Sequence, residues 1–128
     1  MTGDTAMRKI LIGLILMFAF PALSSAEDFT GTWKGSYYGS GGSSGNITIK
    51  LYQSGNKVRG TLRTSSGSKG KVSGTANGDV LKFSGKQTKP CSGSFKGTAV
   101  MEDSDTISYT VKASNCYGSE RLAGEAYR

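Results

Sequence analysis

The chain has 128 residues, with 16 Lys and Arg against 9 Asp and Glu for a net charge of +7, and it contains 19 glycines, two cysteines and no histidine. Without histidine, Ser-His-Asp and Cys-His nucleophile arrangements and His-ligated zinc are excluded. The excess of cations makes anionic partners the natural ones.

In chain order, Arg8 and Lys9 precede an apolar run over 10–20, which is followed by Pro21 and the small residues Ser24, Ser25 and Ala26. A basic region, an apolar region and small residues where a signal peptidase needs them form the layout of a secretory signal peptide. Residues 1–26 are therefore expected to be cleaved after about Ala26 and the product to be exported, periplasmic or extracellular. Met7, directly before Arg8, is an alternative start to Met1. Cleavage leaves 27–128, about 102 residues (128 minus 26), which suits one domain with a modest core. No later segment approaches the roughly 20 apolar residues of a membrane-spanning helix.

From residue 30 onward, short runs alternate apolar with polar residues, and the pattern hydrophobic-x-Gly-Thr or a close variant recurs at 58–61, 72–75, 95–98 and 122–125. This predicts an all-β fold with strands over 30–38, 46–53, 57–64, 70–77, 79–85, 93–102, 105–112 and 120–127. Eight strands suffice to close a small barrel, so the expected architecture is an eight-stranded antiparallel up-and-down meander barrel. Three connections are tight, at Gly55-Asn56, Asn77-Gly78 and Asp103-Ser104, and four are longer, at 39–45, 65–69, 86–92 and 113–119. Long and short connections alternate, so a meander gathers the long ones at one end. Cys91 and Cys116 lie in two of them, and in an exported chain they are predicted to form a disulfide.

Parity then sorts the faces. Trp33, Tyr37, Ile47, Leu51, Leu62, Val72, Leu81, Phe83, Phe95, Ile107, Tyr109, Val111, Leu122 and Ala126 share one face with Gly35, Gly60, Gly74, Gly97 and Gly124, while the other parity is nearly all Thr, Ser, Lys and Arg. A single dry interior follows. Eight strands leave it either packed or wide enough for one small ligand. If it is open, Tyr37, Ile47, Leu62, Val72, Phe83, Phe95, Val111 and Leu122 are the candidate ligand-binding set near the long-loop end.

Gly31-Thr32-Trp33 near the start of the first strand resembles the Gly-x-Trp signature of lipocalins and avidins, the calycin group of eight-stranded barrels. The resemblance implies that Trp33 lies at the closed end with a basic residue from the end of the last strand over its ring, and Arg128 has the required parity and position. It carries over no ligand, because a Thr-Asp-Tyr-type second motif and the several tryptophans of a biotin box are absent. Small secreted bacterial metalloprotease inhibitors, with a Gly-x-Trp strand and one disulfide, are similar in plan.

Glu102, Asp103 and Asp105 crowd a tight turn, and neither a catalytic pair nor a metal site is expected of them. The chain is not expected to be an enzyme or to need a cofactor. Lys57, Arg59, Arg63, Lys71, Lys82 and Lys96 point outward on neighbouring strands, with Lys69, Lys86 and Lys89 extending the patch, and such a field attracts anionic glycans or lipid headgroups. Nucleic acid is not expected, because no aromatic residues interleave the patch as a stacking platform requires. The expectation is a monomeric binding protein for a small apolar or amphipathic molecule. The alternative is an interaction module, either a protease inhibitor or a binder of anionic envelope polymers through the basic face.

Overall fold

Eight strands follow one another as an antiparallel meander in the computed structural model, which describes residues 28–128. They are β1 (Gly31–Gly39), β2 (Ser44–Ser54), β3 (Lys57–Thr64), β4 (Lys69–Asn77), β5 (Val80–Lys89), β6 (Gly93–Asp103), β7 (Thr106–Asn115) and β8 (Gly118–Tyr127). Each pairs with its neighbours in sequence, and β1 also pairs with β8, from Lys34↔Tyr127 to Gly39↔Leu122. Closure of the barrel pairs the N–H and C=O rows that the edges of an open sheet would expose. The signal peptide expected over 1–26 lies outside the described residues.

At one end the connections are two-residue turns, and two of them shift by one position from the sequence expectation. The second turn is Gly78-Asp79, with Asn77 paired to Val80, because Gly78 (φ 59°) supplies the left-handed backbone at the first turn position and Asn77 stays in the ladder. The third is Ser104-Asp105. Glu102 is the extra residue of a bulge between Met101↔Ile107 and Asp103↔Thr106, which moves the reversal on by one.

At the other end the strands run further than their composition suggested. The connections expected at 39–45, 65–69, 86–92 and 113–119 contract to 40–43, 65–68, 90–92 and 116–117. Gly, Ser and Lys give no alternation to read, yet pairs such as Ser94↔Ser114 and Ser114↔Ser119 extend the ladder through them. Neighbour pairing overrides local propensity here.

The inward residues form one core that includes Trp33, Tyr37, Val58, Leu81, Phe95, Ile107 and Tyr109. Inward glycines let strands and rings approach closely. The Phe95 ring lies across Gly85 and Gly70, where a Cβ at Gly85 would come to 2.5 Å from the ring. A Cβ at Gly97 would meet the Thr110 carbonyl oxygen and lie 2.9 Å from the Val111 Cα, so position 97 is a backbone contact between strands and not a lever on the interior space.

Phe29, just before β1, is fully buried and closes the turn end. Its parity is that of Trp33, but a strand expected to start at 30 left it out. The Trp33 indole N–H donates to the Phe29 carbonyl at 2.9 Å, and the Phe29 amide donates to the Gln53 side-chain oxygen at 2.9 Å. The Arg128 guanidinium lies over the Trp33 ring, 4.4 Å from its centroid. It donates to the carbonyls of Asp28, Thr30 and Ser104 and sits 3.8 Å from the Asp105 carboxylate. One side chain thus ties both chain ends of the barrel to the β6–β7 turn.

Candidate functional site

The opposite end is open. Its cavity of about 540 Å³ has an apolar floor of Ile47, Leu62, Phe95, Tyr109, Val111 and Leu122. Ala113 forms part of the wall, and Ser43, Ser44, Thr64, Ser66, Ser68, Gln87, Asn115 and Ser119 make the rim polar. Below it lies a second space of about 40 Å³, bounded by residues that include Ile49, Leu51, Leu81, Ala99 and Ile107. The two share Ile47, Leu62, Tyr109 and Val111, so a molecule seated in the mouth meets the roof of the lower space. The lower half of the barrel is packed and the upper half is hollow.

Each connection around the mouth is tied down. The Tyr37 hydroxyl donates to Ser66 Oγ at 3.2 Å, and Ser66 and Thr64 share a hydroxyl hydrogen bond of 2.8 Å, which fixes 65–68. Glu120 Oε2 accepts from the Gly41 amide at 2.9 Å and from Ser43 Oγ at 2.8 Å, which fixes 40–43 to β8. Connections 90–92 and 116–117 are joined by the Cys91–Cys116 disulfide, with Cα atoms 6.3 Å apart. Such a rim loses little conformational freedom when a ligand arrives, which favours binding.

Tyr109 stands between floor and wall. Its hydroxyl donates to the Ser36 carbonyl at 2.7 Å. Burial, and secondarily the neighbouring Tyr37, pushes its pKa well above the ordinary tyrosine value of 10.0, so the group stays a neutral donor. Among the described residues no Lys or Arg lines the mouth, and Glu120 is the one carboxylate there.

Of the eight residues assigned to a ligand site from sequence, Tyr37, Ile47, Leu62, Phe95, Val111 and Leu122 come together at the mouth. Val72 and Phe83 line the lower space. Phe83 sits lower than expected because β5 continues to Lys89 instead of ending at 85. Sequence reasoning missed Ala113, Tyr117, Glu120 and the serines of the rim. Ala113 and Glu120 share the inward parity of Val111 and Leu122 and were legible in principle, whereas Tyr117, 80% exposed at a turn, carried no periodic signal.

Lys57, Arg59, Arg63, Lys71, Lys82 and Lys96 are all exposed on the outer wall. Arg59 lies over the Tyr52 ring, 5.5 Å from its centroid. A concavity of about 770 Å³ runs between Tyr52, Lys57, Arg59, Lys82 and Lys96, over a floor of Ser73, Gly74, Thr75 and Ser84. It is a solvent-open groove between rows of long side chains and lacks the enclosure of the mouth.

No family model matches the chain, and no curated protein is detectably similar to it. Solved structures match in fold. A redesigned β-barrel, mFAP0, bound to DFHBI, superposes with a TM-score of 0.66 at 16% identity, covering 77% of this chain and 97% of that one. A de novo designed fluorescence-activating β-barrel gives 0.63 at 20% identity, covering 82% and 97%. At these identities the likeness is one of architecture, an eight-stranded antiparallel barrel closed on itself.

Proposed function

We propose that this chain is an exported, non-catalytic carrier of the calycin type that takes a small, uncharged amphipathic molecule into the open end of the barrel. The observation that carries this reading is the chemistry of the mouth: an apolar floor under a rim of hydroxyls, amides and one carboxylate, with no cation among the described residues of its lining. A volume of about 540 Å³ lies within the range of small-molecule sites. An anionic ligand would bury its charge without a partner, which costs more than its apolar part gains. The redesigned barrel bound to DFHBI supports the reading, since a barrel of this architecture accommodates a bound molecule.

The test replaces a wall residue without touching the backbone contacts. Ala113→Phe projects a ring into the mouth from a half-buried position on β7. The wild-type protein is expected to bind the neutral probe N-phenyl-1-naphthylamine with enhanced fluorescence, and the variant to lose that binding while melting at the same temperature. Equal binding by both proteins, or none by the wild type, would refute the pocket reading.

A further inference from the structure

The charges of this barrel are polarised along its axis. Assigned to the nearer end of its strand, each charge falls in one of two sharply different sets. Among the described residues the open half carries eight cations against the single carboxylate of Glu120. The closed half carries six cations, Lys34, Lys50, Lys57, Arg59, Lys82 and Arg128, against six carboxylates, Asp28, Asp79, Glu102, Asp103, Asp105 and Glu125. The net charge of residues 28–128 therefore resides wholly in the half that holds the mouth, eight minus one against six minus six.

The open-half cations also oppose one another directly. Arg63, Lys69 and Lys89 lie side by side across β3, β4 and β5. Lys71 faces Lys86, and Lys96, Lys112 and Arg121 form a row across β6, β7 and β8. All eight are exposed, and none is ion-paired to another described residue. Like charges directly opposite one another destabilise an antiparallel pair, so these three rows work against the fold unless an anion joins them. A hydrophobic or mixed-charge outer face would have closed the same barrel without that repulsion.

We propose that the open end docks on an anionic lipid surface, with the mouth turned toward the lipid. The cations follow the barrel from β3 round to β8, and a planar surface meets such an arc at once, whereas a linear polymer would follow a single row. Tyr117 is 80% exposed on the 116–117 turn, held there by the disulfide, and places an amphipathic ring at the same end, suited to the headgroup level. The cations supply attraction to the negative surface potential, and the near-neutral closed half faces away from it. Docking in this sense stands on the charge arrangement; its use, loading a ligand from the lipid phase, rests on the pocket reading.

Cosedimentation with vesicles of phosphatidylcholine alone, and of equal phosphatidylcholine and phosphatidylglycerol, tests the proposal. The protein is expected to sediment with the anionic vesicles only, and less so at high salt, which screens exposed charges. Lys69→Gln/Lys89→Gln/Lys112→Gln should weaken vesicle binding by roughly tenfold or more. Lys57→Gln/Arg59→Gln/Lys82→Gln, which removes the same charge from the other half, should change it by less than about threefold, because those residues lie toward the turn end of their strands, away from the docked end, and exposed charges are screened with distance. Tyr117→Trp adds an emission that should shift to the blue on anionic vesicles, while Trp33 is already buried at the far end. Equal losses in the two triple variants would overturn the proposal, as would binding to a soluble sulfated glycan but not to anionic vesicles. Failure of N-phenyl-1-naphthylamine binding alone, with vesicle binding intact, would remove the pocket and leave the docking surface standing.

Discussion

The closed and open ends of the barrel are made by the same eight strands, yet they differ in what satisfies them. At the closed end, Phe29, Trp33 and Arg128 fill the space, and carbonyls of Asp28, Thr30 and Ser104 receive the guanidinium. At the open end the same inward positions stop short of filling it, and hydroxyls and one carboxylate tie the connections to one another instead. Full burial of Phe29 and Trp33 and the hydrogen bonds of Arg128 make the first end a structural lock. A fixed polar rim over an apolar floor makes the second the candidate receptor proposed above. Alternation alone builds the wall; the residues at the strand ends decide which end is which.

Substitutions at the two ends should therefore separate stability from binding. Trp33→Ala removes the largest fully buried side chain and should cost about 3–5 kcal/mol of stability, measured by urea unfolding. A loss under about 1 kcal/mol would mean that the closed end is not the lock described. Removing the disulfide with Cys91→Ser/Cys116→Ser opens a loop of 25 residues and should cost at most about 3.5 kcal/mol. Unlike Trp33→Ala, it should also weaken probe binding in the still-folded protein, because it frees two of the four connections at the rim.

Arg128→Ala should lower stability by about 1–2 kcal/mol through loss of the cation-π contact and its packing, with probe binding unchanged. An unaltered denaturant midpoint would show that Arg128 only decorates the ring. The smallest effect belongs to Tyr109→Phe, about 1 kcal/mol for one buried hydrogen bond. Its signature is the pH dependence. The folded-state pKa of Tyr109 lies above the unfolded value of 10.0, so the stability it contributes is complete below pH 10 and is lost as pH rises beyond it. Stability of the wild type should fall on that alkaline limb, and Tyr109→Phe should flatten it.

Much of the fold was legible because the barrel wall is written in alternation. Eight runs with one dry parity required eight strands and a single interior, and the alternation of tight and longer connections brought Cys91 and Cys116 to one end, where they are bonded. The ends of strands were less legible. Lys86, Lys89, Ser94 and Ser114 belong to the sheet through their neighbours' hydrogen bonds and not through any pattern of their own. That shortfall carried into the site. Ending the fifth strand at 85 lifted Phe83 toward the mouth, and treating 113–119 as loop hid Ala113 as a wall residue. Gly97 shows another limit, since parity says which way a glycine faces but not that a carbonyl of the next strand occupies the space a side chain would need. The axial division of charge was written in the sequence, but it needed the final strand limits before each lysine could be placed on an end.

The most direct test of the division between lock and receptor is amide hydrogen exchange with and without a saturating neutral probe. Added protection should be confined to the open-end segments 37–45, 64–68 and 113–122, while the turns at 55–56, 78–79 and 104–105 exchange as before. Protection centred on those turns or on the outer faces of β3 to β5, with the open-end segments unchanged, would contradict it.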